Sequence, residues 1–235
     1  MSRSSAILSF FLIAALLALL VFFPVIDLWV SGLFGDADRG FPWNEAWPLL
    51  ALNKIAFYGA RLLGFVFLAG LLAALVKRGA CCGVSSRAWL FLFLALLIGP
   101  GLVANVVFKD HWGRARPREI VAFGGKATFT PPLVRTDQCA TNCSFVSGDG
   151  AFGFFLPTIA YVVPRRRRRR AFRWLLSLGC LFGAARIVAG AHFLSDVLFA
   201  AFFMFLTSAI LYVLMFGKKQ ALEIWEDWIQ GKEKD

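Results

Sequence analysis

Six long apolar runs constrain the fold of this chain more than any other feature. A membrane-spanning helix needs about 17 to 25 predominantly apolar residues, and runs of that length lie at about residues 6–26, 55–76, 88–108, 146–163, 174–191 and 193–216. With 59% hydrophobic and only 17% charged residues, the chain is too apolar for an ordinary soluble domain. The runs predict an all-α fold: an integral membrane six-helix bundle that forms a single domain over residues 1–235.

The positive charges predict how this bundle is oriented. If the amino terminus is cytoplasmic, 15 of the 25 lysines and arginines lie on the cytoplasmic side, including the run Arg165–Arg170 in a short connection. Because basic residues in short loops keep those loops in the cytoplasm, both termini are predicted to be cytoplasmic. The net charge of +11 therefore indicates contact with membrane lipids and not with nucleic acid.

Two polar segments complete the predicted organisation. The connection at about residues 109–146 lies on the non-cytoplasmic side, yet after Lys109 it carries five basic residues: Arg114, Arg116, Arg118, Lys126 and Arg135. Because topology alone selects against basic residues on that side, a functional role is expected for some of them. The tail at about residues 218–235 interleaves apolar with acidic residues and predicts a short amphipathic helix at the cytoplasmic surface.

Three segments at the non-cytoplasmic ends of the predicted helices carry polar residues that are unusual for a membrane protein. In chain order they are Lys109 and Arg116, then Ser147, Gly148 and Asp149, then Arg186, His192 and Asp196. Ionisable residues at the edge of the hydrocarbon are costly and mark functional sites. We expect these three segments to converge in one plane at the outer membrane surface.

The chemistry of these residues fits a phosphoryl group. Three cations can stabilise the charge on its oxygens, and a helix that opens after Ser147 adds the positive end of its dipole. His192 and Asp196 are four residues apart on one helix face, so the carboxylate can hold the proton of one ring nitrogen while the other attacks phosphorus. Asp196 is expected to raise the pKa of His192 and the cations to lower it, and the sequence leaves that balance open.

The motifs resemble those of the type 2 phosphatidic acid phosphatase family. The family's first motif is Lys, six residues, Arg-Pro, and Lys109 through Arg116-Pro117 matches it completely. Its third motif is Ser-Arg, five residues, His, three residues, Asp, which matches from Arg186 to Asp196 with alanine in place of the serine. Its second motif, Pro-Ser-Gly-His, matches only at Ser147-Gly148. The resemblance covers about 90 residues in the family's order.

The resemblance implies a site made from all three motifs. It implies that His192 becomes a phosphohistidine and that Asp196 orients it. It also implies that the phosphoryl group is bound by Lys109, Arg116, Ser147, Gly148 and Arg186. Enzymes of this family need no metal and no cofactor, so neither is expected here. The chain is thus predicted to be a phosphoric ester hydrolase that acts on a lipid phosphate.

Asp149 stands where the family has the histidine that protonates the leaving alcohol. The sequence leaves several explanations open. Asp149 can be a buried acid, or His111 can supply the proton instead. The substrate can also have a leaving group that needs little protonation, such as a diphosphate or an anomeric sugar phosphate. Finally, the site can bind phosphate without catalysis.

Substrate, place and partners follow from the same resemblance. We expect a multi-pass protein of a bacterial inner membrane whose active site faces the periplasm and needs no obligate protein partner. The nearest subfamily in appearance is the lipid A phosphatases; phosphatidylglycerol phosphate, phosphatidic acid and polyprenyl diphosphate are alternative substrates. A lipid phosphotransferase and a non-enzymatic transporter of anionic lipid remain alternative functions. Cys139 and Cys143 share the non-cytoplasmic loop, where a disulfide could persist.

Overall fold

The structure, a computed structural model, describes the backbone of residues 3–230 and the side chains of residues 11–224. It is predominantly helical, as predicted. Its α-helices are α1 (Arg3–Phe22), α2 (Val25–Gly32), α3 (Trp47–Val76), α4 (Ser86–Leu96), α5 (Gly148–Phe155), α6 (Arg165–Val188), α7 (Leu194–Phe216) and α8 (Lys218–Gln230). A short antiparallel hairpin, β1 (Ala80–Cys81) and β2 (Val84–Ser85), joins α3 to α4 and pairs Ala80 with Ser85.

Among the described residues, four helical segments are long and apolar enough to cross a membrane: α3, α4 with its extension to Lys109, α6 and α7. The helices α1 and α2 form a fifth candidate span if the bent pair is counted as one. The prediction of a multi-pass membrane protein is therefore confirmed, whereas the six-helix bundle and the orientation of its termini stay predictions. Two of the six apolar runs take a form that the sequence did not predict.

The first apolar run is broken and the fourth is short. The axes of α1 and α2 differ by 87°, and the break falls at Pro24, whose ring disfavours helical geometry at the preceding residue. In the fourth run, α5 has eight residues and continues for six more as a 3₁₀ helix, Leu156–Tyr161. Pro157 explains the change, because proline cannot donate the hydrogen bond that an α-helix needs.

The helix α5 lies at the centre of the packing, against α6 and α7. A Cβ atom on Gly153 of α5 would lie 2.9 Å from the Cα of Gly179 on α6, and one on Gly179 would lie equally close to the carbonyl oxygen of Gly153. Helices in membranes approach each other closely where both present small residues. This contact holds the start of α5 beside the end of α6, where the candidate site residues are found.

The extension of α4 is a π-helix of 13 residues, Leu97–Lys109. It contains Pro100, whose missing N–H favours a change in the backbone hydrogen-bond pattern. The side chain of Asn105 donates to the carbonyl oxygen of Pro100 at 2.7 Å and so closes part of this wider turn. Lys109 is the last residue of the π-helix, so this segment sets where its side chain enters the site.

In the part of the carboxyl-terminal tail that the structure describes, residues 218–230 form the helix α8. Its amphipathic, cytoplasmic character stays a prediction. The helix α8 packs against α6 and α7. Residues 231–235 of the predicted tail lie outside the described part of the chain.

Candidate active site

Main-chain hydrogen bonds tie the three motif segments together. The N–H of Ser144 donates to the carbonyl oxygen of Arg114 at 2.8 Å, which joins the first segment to the second. The N–H of Ser147 donates to the carbonyl oxygen of Asp196 at 3.2 Å, which joins the second to the third. The N–H of Arg118 donates to the carbonyl oxygen of Gly190 at 3.1 Å and closes the triangle. Main-chain hydrogen bonds therefore hold together the three segments that were predicted to converge.

The turn before α7 depends on glycine. Gly190 has φ +60, a left-handed conformation that L side chains rarely adopt, and a Cβ there would lie 2.3 Å from the ring of Phe41. This tight turn allows the N–H of His192 to donate to the carbonyl oxygen of Arg186. Arg186 and His192 are thereby held next to each other at the end of α6.

His192 is 2% exposed and lies in the turn between α6 and α7. Its Nδ1 lies 2.7 Å from the carbonyl oxygen of Ser144. Since a carbonyl only accepts, Nδ1 must carry the proton and Nε2 must be the unprotonated nitrogen. The ring is thus fixed in the tautomer that leaves Nε2 able to act as a nucleophile.

Asp196 does not hold His192 in the way that the four-residue spacing suggested. Its Oδ2 is 3.9 Å from Nδ1 of His192, too far for a hydrogen bond. That oxygen instead accepts from the hydroxyl of Ser144 at 2.5 Å and from the N–H of Phe193 at 2.9 Å. Because the ring proton is bonded to the carbonyl oxygen of Ser144, Asp196 reaches His192 through this serine.

Burial lowers the pKa of His192 well below its ordinary value, and the nearby charges of Arg116, Arg186 and Lys109 lower it further. The hydrogen bond to Ser144 acts in the opposite direction and is weaker. The balance that the sequence left open is therefore decided by desolvation and by the cations. The imidazole is neutral at neutral pH, as a nucleophile must be.

The three predicted cations lie around His192. Arg116 is largely buried and donates to the carbonyl oxygen of Asn142 at 2.6 Å. Lys109 interacts electrostatically with Arg116, Arg186 and Asp149, which places all four in one cluster. Burial and the charge of Arg118 lower the pKa of Arg116, but a guanidinium stays protonated under any ordinary condition. This cluster can bind a multiply charged anion.

Ser147 and Gly148 form the start of α5. The hydroxyl of Ser147 accepts from the N–H of Gly150 at 3.1 Å, the N-cap that a serine at this position predicts. A Cβ on Gly148 would lie 2.8 Å from the Nζ of Lys109. Gly148 therefore leaves the space in which the lysine ammonium meets the amino-terminal end of the helix.

Asp149 is paired with a cation. Its Oδ2 lies 3.3 Å from the Nε of Arg186 and accepts from the side-chain amide of Asn53 at 2.7 Å. Asn53 belongs to α3, so a fourth part of the chain contributes to the site. The carboxylate of Asp149 is thus held between a guanidinium and an amide donor.

His111 is exposed, and its Nδ1 lies 2.8 Å from the carbonyl oxygen of Val106. The ring of His111 therefore already has a hydrogen-bond partner in the helical segment that precedes it.

Cys139 and Cys143 form a disulfide. This bridge spans Asn142, whose carbonyl oxygen accepts from Arg116. Among the described residues, no group of three or more His, Cys, Asp or Glu side chains could hold a metal ion.

Sequence reasoning missed four residues that support the site: Asp27, Arg114, Ser144 and Ser195. All four are fully buried. A signal existed for Asp27, which is a carboxylate in the apolar stretch after Pro24. Arg114 was identified only as one of several basic residues on an unexpected side. For Ser144 and Ser195 the sequence carries no comparable signal.

Comparison with known proteins agrees with this geometry. Residues 87–220, more than half of the chain, match the PAP2 superfamily. The chain belongs to the PAP2 superfamily. All three motif segments of the site lie within the matched residues, whereas Asp27 and Asn53 lie outside them.

Three bacterial PAP2 relatives have the name lipid A 4'-phosphatase. That of Francisella tularensis subsp. novicida (strain U112) is 43% identical over 138 residues, which are 57% of this chain and 61% of the relative. That of Rhizobium leguminosarum is 34% identical over 196 residues, 78% of this chain and 84% of the relative. That of Rhizobium etli (strain ATCC 51251 / DSM 11541 / JCM 21823 / NBRC 15573 / CFN 42) is 34% identical over the same length, 78% of this chain and 76% of the relative.

No solved structure matches the chain significantly. The predicted PAP2 family, of the lipid A phosphatase type, is confirmed by the superfamily match and these relatives. The predicted class, a phosphoric ester hydrolase, is confirmed with it. The match spans less than two thirds of the Francisella relative.

Proposed function

We propose that this protein removes a phosphate group from lipid A through a phosphohistidine intermediate at His192. The observation that carries the proposal is the state of this histidine. It is buried with its Nδ1–H on the carbonyl oxygen of Ser144, which leaves Nε2 free beside three cations. The names of the relatives support lipid A as the substrate. Phosphatidylglycerol phosphate and polyprenyl diphosphate are the alternatives that a substrate panel must include.

In the first step, the Nε2 lone pair attacks phosphorus and the bond between phosphorus and the lipid oxygen breaks. The leaving oxygen takes a proton, and the phosphoryl group stays on His192. In the second step, water attacks phosphorus and gives a proton to the group that protonated the leaving oxygen, the N–P bond breaks, and inorganic phosphate is released with Nε2 restored. Lys109, Arg116 and Arg186 neutralise the phosphoryl oxygens in both steps, with the amino-terminal end of α5 at Gly148 as a further donor.

Asp149 is the proposed source of the proton. Its carboxylate is paired with Arg186. A bound phosphoryl group competes with Asp149 for that guanidinium, and a carboxylate that loses its cation to an anion binds a proton more readily. Asp149 can then deliver this proton to the leaving oxygen. His111 is the weaker candidate, because its ring is exposed and bonded to Val106.

We place this site on the periplasmic face of an inner membrane. In this proposal residues 1–235 form one domain with six membrane segments, in which α1 with α2 and α5 with its 3₁₀ extension are the two irregular ones. The six arginines at the start of α6 and the site residue Arg186 near its end lie at opposite ends of one helix. Basic clusters favour the cytoplasmic side, which puts both termini inside and the loop of residues 109–146 outside. No nucleic acid or protein partner is needed.

The test is phosphate release by the purified protein in detergent. The panel contains lipid A, phosphatidylglycerol phosphate, phosphatidic acid and a polyprenyl diphosphate, and each is assayed with wild type and with His192→Ala. We expect release from lipid A by the wild type and a loss of about 10³-fold or more in His192→Ala, since no nucleophile replaces the imidazole. Equal release by both proteins would exclude His192. Transfer of phosphate to a second lipid, without free phosphate, would identify a phosphotransferase.

A further inference from the structure

A buried network of charged groups joins the amino-terminal part of the chain to the site. The guanidinium of Arg114 donates to Asp27 at 2.8 Å and to Asp196 at 2.5 Å, and all three side chains are completely inaccessible to solvent. Arg114 also donates to the hydroxyl of Ser195 at 2.8 Å. Two carboxylates thus share one guanidinium.

Each of the two carboxylates accepts three hydrogen bonds. Asp27 accepts from Arg114, from the N–H of Ser195 at 2.9 Å and from its hydroxyl at 2.5 Å. Asp196 accepts from Arg114, from the hydroxyl of Ser144 and from the N–H of Phe193. All six hydrogen bonds run toward the two side chains, as they do for carboxylates that only accept. The network therefore combines two negative charges with one positive charge.

The resulting net charge of −1 has a consequence for His192. When Nε2 attacks phosphorus, the imidazole ring gains positive charge, and a negative charge nearby stabilises that state. Arg114 alone would neutralise Asp196. With Asp27 present, Arg114 is shared between two carboxylates, so the network keeps one uncompensated negative charge, which reaches the ring through Asp196 and Ser144.

We propose that Asp27 is a positioning residue for phosphoryl transfer: by sharing Arg114 it keeps Asp196 and Ser144 in place and leaves a net negative charge behind His192. The proposal rests on the proposed function, because it concerns the same nucleophile. The role of Asp27 adds to that function, because Asp27 belongs to α2 and lies outside residues 87–220, the part of the chain that matches the PAP2 superfamily.

The other charged groups that face His192 determine in which direction the loss of the charge on Asp27 would shift its protonation. The positive charges of Arg116, Arg186 and Lys109 all lower the pKa of His192. The network of Asp27, Arg114 and Asp196 is the negative counterpart on the Ser144 side. If Asp27 loses its charge, the potential at His192 becomes more positive, so its proton is held less tightly and the ring is harder to make cationic.

The first variant is Asp27→Asn, which preserves shape and removes only the charge. We expect kcat for phosphate release from lipid A to fall about tenfold to a hundredfold, because a nearby unit charge is removed from a poorly screened site. KM should change by less than about threefold, since no group that binds the phosphoryl is altered. The acid limb of the kcat profile should move to lower pH. A purely structural role would leave the limb where it is.

The second variant separates charge from packing. In Asp27→Asn combined with Arg114→Gln, the network again has a net charge of −1, carried by Asp196 alone. We expect this double variant to be more active than Asp27→Asn, although it lacks a further buried group. A double variant no more active than the single one would overturn the proposal.

Separate controls test whether each variant is folded and whether the loss of any carboxylate changes turnover. Size-exclusion chromatography and thermal unfolding in detergent establish that each variant is folded. Asp36→Asn is the matched control, because Asp36 lies between α2 and α3, where its carboxylate bonds with exposed Arg39 and with two backbone N–H groups, and its loss should leave kcat unchanged.

If Asp27→Asn does not fold, Asp27→Glu carries the test. It retains the charge, so it should keep kcat within about tenfold of wild type with an unmoved acid limb. A folded Asp27→Glu that has lost activity a hundredfold would overturn the proposal. If His192→Ala is as active as wild type, the proposed function fails. If only His192→Ala is impaired and Asp27→Asn matches wild type, the nucleophile stands and the role of Asp27 falls.

Discussion

The imidazole of His192 is bonded to the main chain of Ser144, not to a carboxylate, with 2.7 Å between Nδ1 and the carbonyl oxygen. A carbonyl oxygen only accepts, so it fixes the tautomer of the neutral ring. The hydroxyl of the same serine donates to Asp196. Ser144 therefore transmits the position of Asp196 to His192 through its own backbone.

This arrangement predicts a specific effect for Ser144→Ala. The carbonyl oxygen remains, so the tautomer of His192 is retained, but Asp196 loses one hydrogen bond and Ser144 loses its anchor. We expect kcat to fall about tenfold, the value of one hydrogen bond to a charged group, with KM nearly unchanged. Steady-state phosphate release measures both constants. Ser177→Ala is the control, because Ser177 is exposed and bonds only to the carbonyl oxygen of Arg173; an equal loss in both variants would refute the prediction.

Gly148→Ala should impair phosphate binding with little loss of stability. The new methyl group would lie 2.8 Å from the Nζ of Lys109, the mobile end of a flexible side chain, so the lysine moves and the backbone does not. We expect kcat/KM to fall about tenfold to a hundredfold because an essential cation is displaced. Gly64→Ala in α3 is the control, since its methyl group would meet only Leu96 at 3.7 Å. Full activity in Gly148→Ala would contradict the assigned place of Lys109.

The pH dependence of turnover should reflect the lowered pKa of His192. Its neutral form is active, so activity persists as the pH falls and is lost only when the ring is protonated below its ordinary range. Among the nearby charges, that of Arg116 lowers this pKa the most. Arg116→Gln should therefore raise it and move the acid limb of kcat to higher pH, in addition to lowering its height.

The same experiment with Lys126→Gln controls for the loss of a positive charge in this loop, because Lys126 is exposed. Its acid limb should coincide with that of the wild type. A limb that moves to lower pH in Arg116→Gln would show that Arg116 does not act on His192 in this way.

Loss of the disulfide should weaken substrate binding. The bridge between Cys139 and Cys143 closes the turn that contains Asn142, and the carbonyl oxygen of Asn142 accepts from Arg116 at 2.6 Å. With both cysteines changed to serine, Arg116 loses a fixed partner, and we expect KM to rise about tenfold while kcat changes less. Cys180→Ser, at an exposed free thiol, should leave both constants unchanged. An unaltered KM in the double variant would separate the disulfide from the site.

Asp149→Asn tests the proton source. If Asp149 protonates the leaving oxygen, the amide should depress turnover of an alkyl phosphate by about 10² to 10⁴-fold and that of a diphosphate much less, because a diphosphate leaves without a proton. Phosphate release from both substrate classes measures the ratio. An equal loss on both would assign Asp149 to substrate binding, and His111→Ala would then be the next variant to assay.

The fold could be predicted where the length of an apolar run determines whether it forms a membrane-spanning helix. The apolar runs that became α3, the α4 segment, α6 and α7 are each long enough to cross a membrane. Pro100 changes the hydrogen-bond pattern of the α4 segment without ending the helix. The first and fourth runs contain Pro24 and Pro157, whose effect on direction depends on the packing around them. The sequence gives the position of each proline but not the 87° bend or the 3₁₀ turns that follow.

The site could be predicted where charged residues recur at the spacing of a motif. Lys109, Arg116, Arg186 and His192 are brought together as the motif order suggested. The link from His192 to Ser144 could not be predicted, since it uses a backbone carbonyl, which every residue has. The pairing of Asn53 with Asp149 joins residues 96 positions apart, and only tertiary structure specifies such a contact.

The ion pair between Asp27 and Arg114 also sets an order of events during synthesis. The guanidinium that neutralises Asp27 is added 87 residues later, which takes roughly 4 to 17 s at a ribosomal rate of about 5–20 residues per second. An unpaired carboxylate is costly in hydrocarbon, so α2 must stay within reach of water for that time. The break at Pro24 permits this, because it frees α2 from the direction of α1. Helices α1 and α2 thus reach their final place only after Arg114 has been added to the chain.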